Sequence, residues 1–380
     1  MKRFGFLAIS ASQYPFIFKE ATPRGYVTAY VEDTWRINTF RYPSRTGFDS
    51  PPADHFIEHY IKVMEENDVA TVGCREGKVH HLDYLEYFMN LMDTYKSVPK
   101  FFLGLHSSLS HNDINIVGEH DDEIVEFFEQ LNAKGHMNDT MVLLMGDHGP
   151  PHSRYRNTKG GQLEETHPFI RILMPTWFSK KYPTEYRNLL DNAESGVLLT
   201  PHDLHATFLD ILDDGLFEER LRIWVTKGLD AANTRARSLF SEIPKNRECK
   251  HVAIPPQTCD CIKWSSVAAE DLLIREIVGQ VVAAINKFIE VVEGRCARLF
   301  LDQILSAEGT VLNKKETYRV HFSVVPSLGT FEAFTTWNKR SRKVDVDVSK
   351  IHRTNRYNNQ SQCIQQTFPE LINFCFCTSS

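Results

Sequence analysis

The chain has 380 residues, of which 42% are hydrophobic and 24% charged, and that length suggests two domains at roughly 100–200 residues each. Such a composition excludes a disordered or fibrous chain, and a net charge of -6 without a basic cluster argues against nucleic-acid binding. No run approaches the roughly 18 consecutive apolar residues of a membrane helix.

The opening "MKRFGFLAI" has a basic start and a short apolar run, and it reads either as a signal-like segment or as a first buried strand. Residues 25–31, "GYVTAYV", are β-rich, and apolar side chains recur at helical spacing over about 53–66 and 79–96. "KFFLGLHSS" predicts a strand ending at His106. Residues 121–133 predict an amphipathic helix with acids in its first turn and Gly135 as its stop. "TMVLLMGDHG" is a continuous apolar run, as expected of a strand covered on both faces. "FIRILMP" predicts another strand, and "TPHDLHATFLDIL" a helix with Thr200 as N-cap, Pro201 in first position and Asp203 closing a capping box. Alternating strands and helices over 25–212 predict an α/β fold with a largely parallel sheet flanked by helices. After about residue 230 the texture changes. A helix over about 267–293 and the runs "YRVHFSVVP", "GTFEAFTTW" and "KVDVDVSK" predict a smaller, Cys-rich α+β domain, so the division is 1–240 and 241–380.

Of eight cysteines only Cys74 precedes residue 241. Cys249, Cys259, Cys261, Cys296, Cys363, Cys375 and Cys377 crowd the C-terminal part. That crowding predicts a disulfide framework and an oxidising location, extracellular or in the secretory-pathway lumen. Proximity in sequence suggests Cys249 with Cys259 or Cys261, and Cys363 with Cys375 or Cys377. The Cys-x-Cys pairs lack the spacing of a zinc finger. Asn138 and Asn359 each begin a glycosylation sequon.

In parallel α/β sheets ligands bind beyond the carboxyl ends of the strands. His106 with Ser107-Ser108 and then His111-Asn112-Asp113 falls there. So does Asp147-His148, with Arg154, Lys159, Glu164, Glu165 and His167 a loop away. A carboxylate with an imidazole suits zinc or manganese, and carboxylate-rich sets suit calcium. Such an ion polarises a phosphoryl or sulfuryl oxygen, and Arg154 and Lys159 add positive charge for an anionic ester. Taken alone, Asp-His-Gly after a strand is also an acceptable turn. His80-His81 and His120 read as surface residues.

The stretch "MGDHGPPHSRYRNTKGGQLEETHPFIRILMP" resembles the Asp-His-Gly signature of the alkaline phosphatase superfamily, which includes the sulfatases. Together with "PFIFKEATPRGYVTAYVEDTW", "SLSHNDIN", "TPHDLHATFLDIL" and "RTNRYNNQSQC", it is similar to a sulfatase-like family of unknown function (domain of unknown function 229), common in nematodes and other animals. The resemblance is collinear over nearly the whole chain. It implies that Asp147 and His148 bind a divalent metal (zinc, calcium or manganese), that His111 is a metal or substrate residue, and that phosphate or sulfate esters are the substrates. Superfamily members also begin with a strand ending in a metal-binding Asp, followed by a Thr, Ser or formylglycine-forming Cys nucleophile in a Pro-containing motif. Neither Cys-x-Pro-x-Arg nor Asn-Thr-x-Pro occurs near residues 1–25, and Cys74 stands in an unrelated context. The nucleophile is therefore unidentified, and the expectation is an N-terminally truncated sheet with an exposed edge. Two functions follow: a hydrolase incomplete in this chain, or a secreted, non-catalytic binding or structural protein on the same fold.

Overall fold

The computed structural model describes residues 10–35, 37–41, 47–67, 74–75, 78–111, 113–150, 153–213, 235–292, 294–355, 359–365 and 367–378. The signal-like opening and the side chains of Cys74, Asn112 and Arg154 lie outside the described part. Two compact units emerge: residues 1–150 with 167–254, and residues 151–166 with 255–380. Residues 151–166, inside the stretch read as a first domain over 1–240, thus group with the second unit.

The first unit is built on β1 (Val27–Glu32), which pairs in parallel with β2 (His55–Phe56) on one side and β3 (Lys100–Leu105) on the other. Parallel neighbours need crossovers: residues 33–54 lead from β1 to β2, and α1 (Glu58–Asn67) and α2 (His80–Thr94) lie between β2 and β3. The two-residue side-chain period of a strand splits β1 between two cores. Ala29 and Val31 pack with Tyr84, Leu91, Leu85 and Phe88 of α2, while Tyr30 joins an aromatic cluster with Phe18, Phe40, Phe48 and Phe56. Ring pairs such as Phe40 and Phe48, 4.8 Å apart, add about 0.5–1.5 kcal/mol beyond the area they bury.

Helix α3 (Asp121–Ala133) has the predicted bounds, with three acids in its first turn and Gly135 in the left-handed region at φ 76°. Helices α4 (Pro183–Glu194) and α5 (Pro201–Leu212) follow, the latter with the capping box expected from Thr200 and Asp203.

The parallel arrangement stops at β3. Strand β4 (Val142–Met145) pairs antiparallel with β5 (Ile170–Leu173), and among the described residues these two form a sheet of their own. The expectation that "TMVLLMGDHG" is covered on both faces is corrected: Leu144 is 39% and Met145 41% exposed. A two-stranded ribbon has a single neighbour per strand and buries little of either face. Leu144→Ala is therefore expected to cost under about 1 kcal/mol in chemical denaturation, where a buried leucine costs about 2–5.

The second unit is an antiparallel sheet under one long helix. Strands β6 (Ser265–Val267), β7 (Phe300–Leu312), β8 (Lys315–Val325), β9 (Gly329–Asn338) and β10 (Lys343–Asp345) lie in the order β10-β9-β8-β7-β6, and β11 (Ile351–Arg353) also pairs with β9. Helix α6 (Leu272–Ile289) is capped by the Asp271 side chain, which accepts from Leu273 N at 2.8 Å. Its Ile274, Ile277, Val278, Val281 and Ile285 recur at helical spacing and pack on Val320, Phe322, Phe331 and Ala333 of the sheet. Strands β7 and β8 are joined through Asn313 (φ 50°) and Lys314 (φ 65°), two consecutive left-handed residues that match the twist of a tight hairpin. Disulfides Cys296–Cys375 and Cys363–Cys377, with Cα–Cα distances of 5.1 and 6.0 Å, tie the C-terminal segment down. Cys249 and Cys259 are oxidised as well, whereas Cys261 is a free, exposed thiol.

Candidate functional site

Because β1 and β3 are parallel and in register, with Glu32 opposite Leu105, the residues after each strand meet at one edge of the sheet. Asp33 is buried there and fully engaged. Its carboxylate accepts from Ser107 N (2.8 Å), Ser108 N (3.1 Å) and the Ser108 hydroxyl, and lies 3.5 Å from His106 Nδ1. Its neighbour Glu32 accepts from the Tyr30 hydroxyl and from Thr39 N at 3.0 Å. Burial raises the Glu32 pKa above the ordinary carboxylate value, against the pull of those donors.

A line of imidazoles starts at His106. Its Nε2 is 2.7 Å from His81 Nδ1, and the His81 ring lies 5.1 Å from that of His120. His80 Nε2 meets the Asp33 carbonyl at 2.8 Å. The reading of His80-His81 and His120 as surface residues is corrected for His81, which is 2% exposed. Burial lowers its pKa to about 4, with His106 and His120 adding to the effect, so the ring is neutral at physiological pH. The signal was present in the sequence: His81 shares a helical stripe with Tyr84, Leu85 and Phe88.

Asp147 and His148 stand at the carboxyl end of β4, with side chains 74% and 53% exposed. His148 Nδ1 meets the Gly149 carbonyl at 2.8 Å. A carbonyl only accepts, so Nδ1 carries the proton and Nε2 keeps its lone pair. That lone pair is 3.4 Å from Asp147 Oδ2. Two donors each about 2.1 Å from one ion sit roughly 3.4 Å apart at a tetrahedral angle. Donor types and spacing therefore fit a shared divalent ion. Among the described residues no third His, Cys, Asp or Glu donor completes a set with them within 4.8 Å. His111 is exposed, in a turn whose backbone N donates to the Ser107 carbonyl at 3.0 Å.

Residues 5–305 match a family described as protein of unknown function (DUF229). The chain belongs to that family. Neither a curated protein nor a solved structure matches it. The region matched contains Asp33, the histidine line and Asp147-His148 and ends within β7, so Cys363, Cys375 and Cys377 of the DUF229 chain lie beyond it.

Of the remaining sequence candidates in the DUF229 protein, Lys159, Glu164 and Glu165 fall in the second unit and His167 in the first. Lys159 Nζ is 2.6 Å from Glu308 Oε1, a carboxylate that Arg319 Nε also engages at 2.9 Å. Arg156 is buried, bonding Glu165 at 2.8 Å and Glu332 at 3.0 Å, and Glu164 accepts from the Tyr155 hydroxyl at 2.9 Å. The short helix Lys159–Thr166 folds tightly onto the turn before it: a Cβ on Gly161 would fall 2.2 Å from the Tyr155 carbonyl oxygen. The sequons are accessible, with Asn138 and Asn359 both exposed.

Proposed function

We propose that this DUF229 protein is a metal-dependent hydrolase of phosphate or sulfate esters, built on an alkaline-phosphatase/sulfatase-like sheet. One observation carries the reading. Asp147 and a His148 whose free Nε2 is set by Gly149 present two donors 3.4 Å apart at the open end of a strand. An ion bound there, zinc or manganese by ligand type, supplies Lewis-acid polarisation of a phosphoryl or sulfuryl oxygen. Within the chain, Asp147 and His148 hold that charge in place, Gly149 keeps the imidazole in its metal-binding tautomer, and the family resemblance offers His111 as a further metal or substrate residue. Two disulfides are consistent with an oxidising compartment, and among the described residues no helix is long and apolar enough to cross a membrane.

The lack of a third donor beside Asp147 and His148 among the described residues favours a second reading, a secreted binding protein on the same fold without catalysis. Calorimetric titration with zinc, manganese and calcium, together with assays on 4-nitrophenyl phosphate and sulfate, separates the two. Turnover and metal binding that both disappear in Asp147→Ala/His148→Ala support the hydrolase. Metal binding without turnover supports the binding protein. Turnover that survives the double substitution sinks the site.

A further inference from the structure

The C-terminal segment gathers four sulfurs of the second unit into one cluster. Cys375 and Cys377 are two residues apart, so an extended chain turns both toward one face. Cys363 Sγ lies 4.0 Å from Cys375 Sγ although the two belong to different disulfides, and the Sγ atoms of Cys363, Cys375 and Cys377 all fall within 4.8 Å of one another. Cys296 and Cys377, also from different disulfides, are opposite residues of an antiparallel bridge. On either side of that bridge Ala297 N donates to the Phe376 carbonyl at 2.7 Å and Thr378 N to the Arg295 carbonyl at 3.0 Å. Cys296 and Cys377 are therefore a non-hydrogen-bonded pair, the kind whose Cα atoms stand about 4.5 Å apart and whose side chains are closest. That separation lies within the roughly 4.4–6.8 Å that a disulfide spans. A second set of partners, Cys296 with Cys377 and Cys363 with Cys375, is thus in reach of the same four sulfurs with the backbone pairing kept.

Access to the cluster is unequal. Cys375 is completely buried, whereas Cys296 is half-buried and lines a cavity of about 410 Å³ at the C-terminal end of α6. A cavity of this size holds a small organic ligand. Glu290 and Arg298 also line it and give it one charge of each sign, so that Arg298 matches a carboxylate and Glu290 an ammonium group.

We propose that Cys296 is an exchange site for a small zwitterionic thiol, through which the cluster converts from Cys296–Cys375 with Cys363–Cys377 to Cys296–Cys377 with Cys363–Cys375. Exchange runs by attack of a thiolate on a disulfide sulfur through a mixed disulfide. The external thiolate bonds to Cys296 Sγ, and the electron pair of the broken Cys296–Cys375 bond goes to Cys375 Sγ. The Cys375 thiolate attacks Cys363 Sγ, forming Cys363–Cys375 and releasing Cys377 as a thiolate. Cys377 attacks Cys296 Sγ across the bridge and expels the external thiolate. The external thiol is recovered, so partners are exchanged with no net oxidation or reduction.

The test incubates the full, oxidised chain with substoichiometric reduced glutathione. Samples are quenched in acid and digested with pepsin, which cuts beside Phe376 and so separates Cys375 from Cys377 for mass-spectrometric mapping of the pairs. Cys363–Cys375 and Cys296–Cys377 are expected to appear beside the original pairs, with glutathione attached first to Cys296. Arg298→Ala, at an exposed position, is expected to slow the glutathione reaction about threefold, the size of one exposed ion pair, and to leave the rate with uncharged 2-mercaptoethanol unchanged. The original pairs alone after incubation, a first adduct on Cys363 or Cys377, or a glutathione rate unaffected by Arg298→Ala overturns the proposal. Neither metal nor ester enters the test, so its result stands apart from the hydrolase reading.

Discussion

Arg247→Ala is expected to lower the stability of the first unit by about 3–5 kcal/mol, the cost of leaving one member of a buried ion pair alone. Asp203 is fully buried, and its two oxygens receive Arg247 Nη1 and Nη2 at 2.9 Å each. The same carboxylate caps α5 through Thr200 N (2.7 Å) and the Thr200 hydroxyl (2.9 Å), and accepts from Arg237 N at 2.7 Å. Arg247 in turn bonds the Leu198 and Arg235 carbonyls at 3.1 and 3.0 Å. One guanidinium therefore joins the α5 cap to two separate loops. A lysine offers a point charge in place of a fork, so Arg247→Lys is expected to restore only part of the loss. Urea denaturation followed by far-UV circular dichroism reads both variants, and a loss under about 1 kcal/mol for Arg247→Ala would show that the remaining donors suffice for Asp203.

Ile277→Ala is expected to destabilise the second unit by about 2–5 kcal/mol. Ile277 is completely buried, among residues of α6 and the inner face of the β7-β8-β9 sheet. Truncation removes buried methyl and methylene groups and leaves a cavity between two regular elements, which relax only partly. Ile277→Val, one methylene smaller, is expected to cost about 0.5–1.5 kcal/mol. Denaturation midpoints of the two variants test the order. Equal, small effects would mean that helix and sheet close over the space.

Several features were legible because they rest on local physics. Acids followed by a 3.6-residue apolar stripe and a glycine marked Asp121–Ala133, and Thr-Pro-x-Asp marked the start of Pro201–Leu212. Alternation marked burial better than strand length: Val344, Val346 and Val348 all pack against the core, but only Lys343–Asp345 is strand. Strand β7 escaped notice, since Asp302, Gln303, Glu308 and Gly309 interrupt its apolar pattern, and its pairing with β8 carries two register shifts. The bet on Cys363 included its partner Cys377, whereas the partners Cys296 and Cys375 are 79 residues apart and nothing local connects them.

Sequence by itself determined the α/β order of the first unit, the helix limits and caps, and the position of the Asp147-His148 pair at the end of β4, all set by contacts within a few residues. Tertiary structure alone decided which histidines turn inward, that β4 stands in an exposed ribbon, and that Lys159 meets Glu308. The physical reason is range. His81 and His106 are 25 residues apart and Lys159 and Glu308 149, so no periodicity or cap encodes their meeting, and only chain crossovers and packing bring them together.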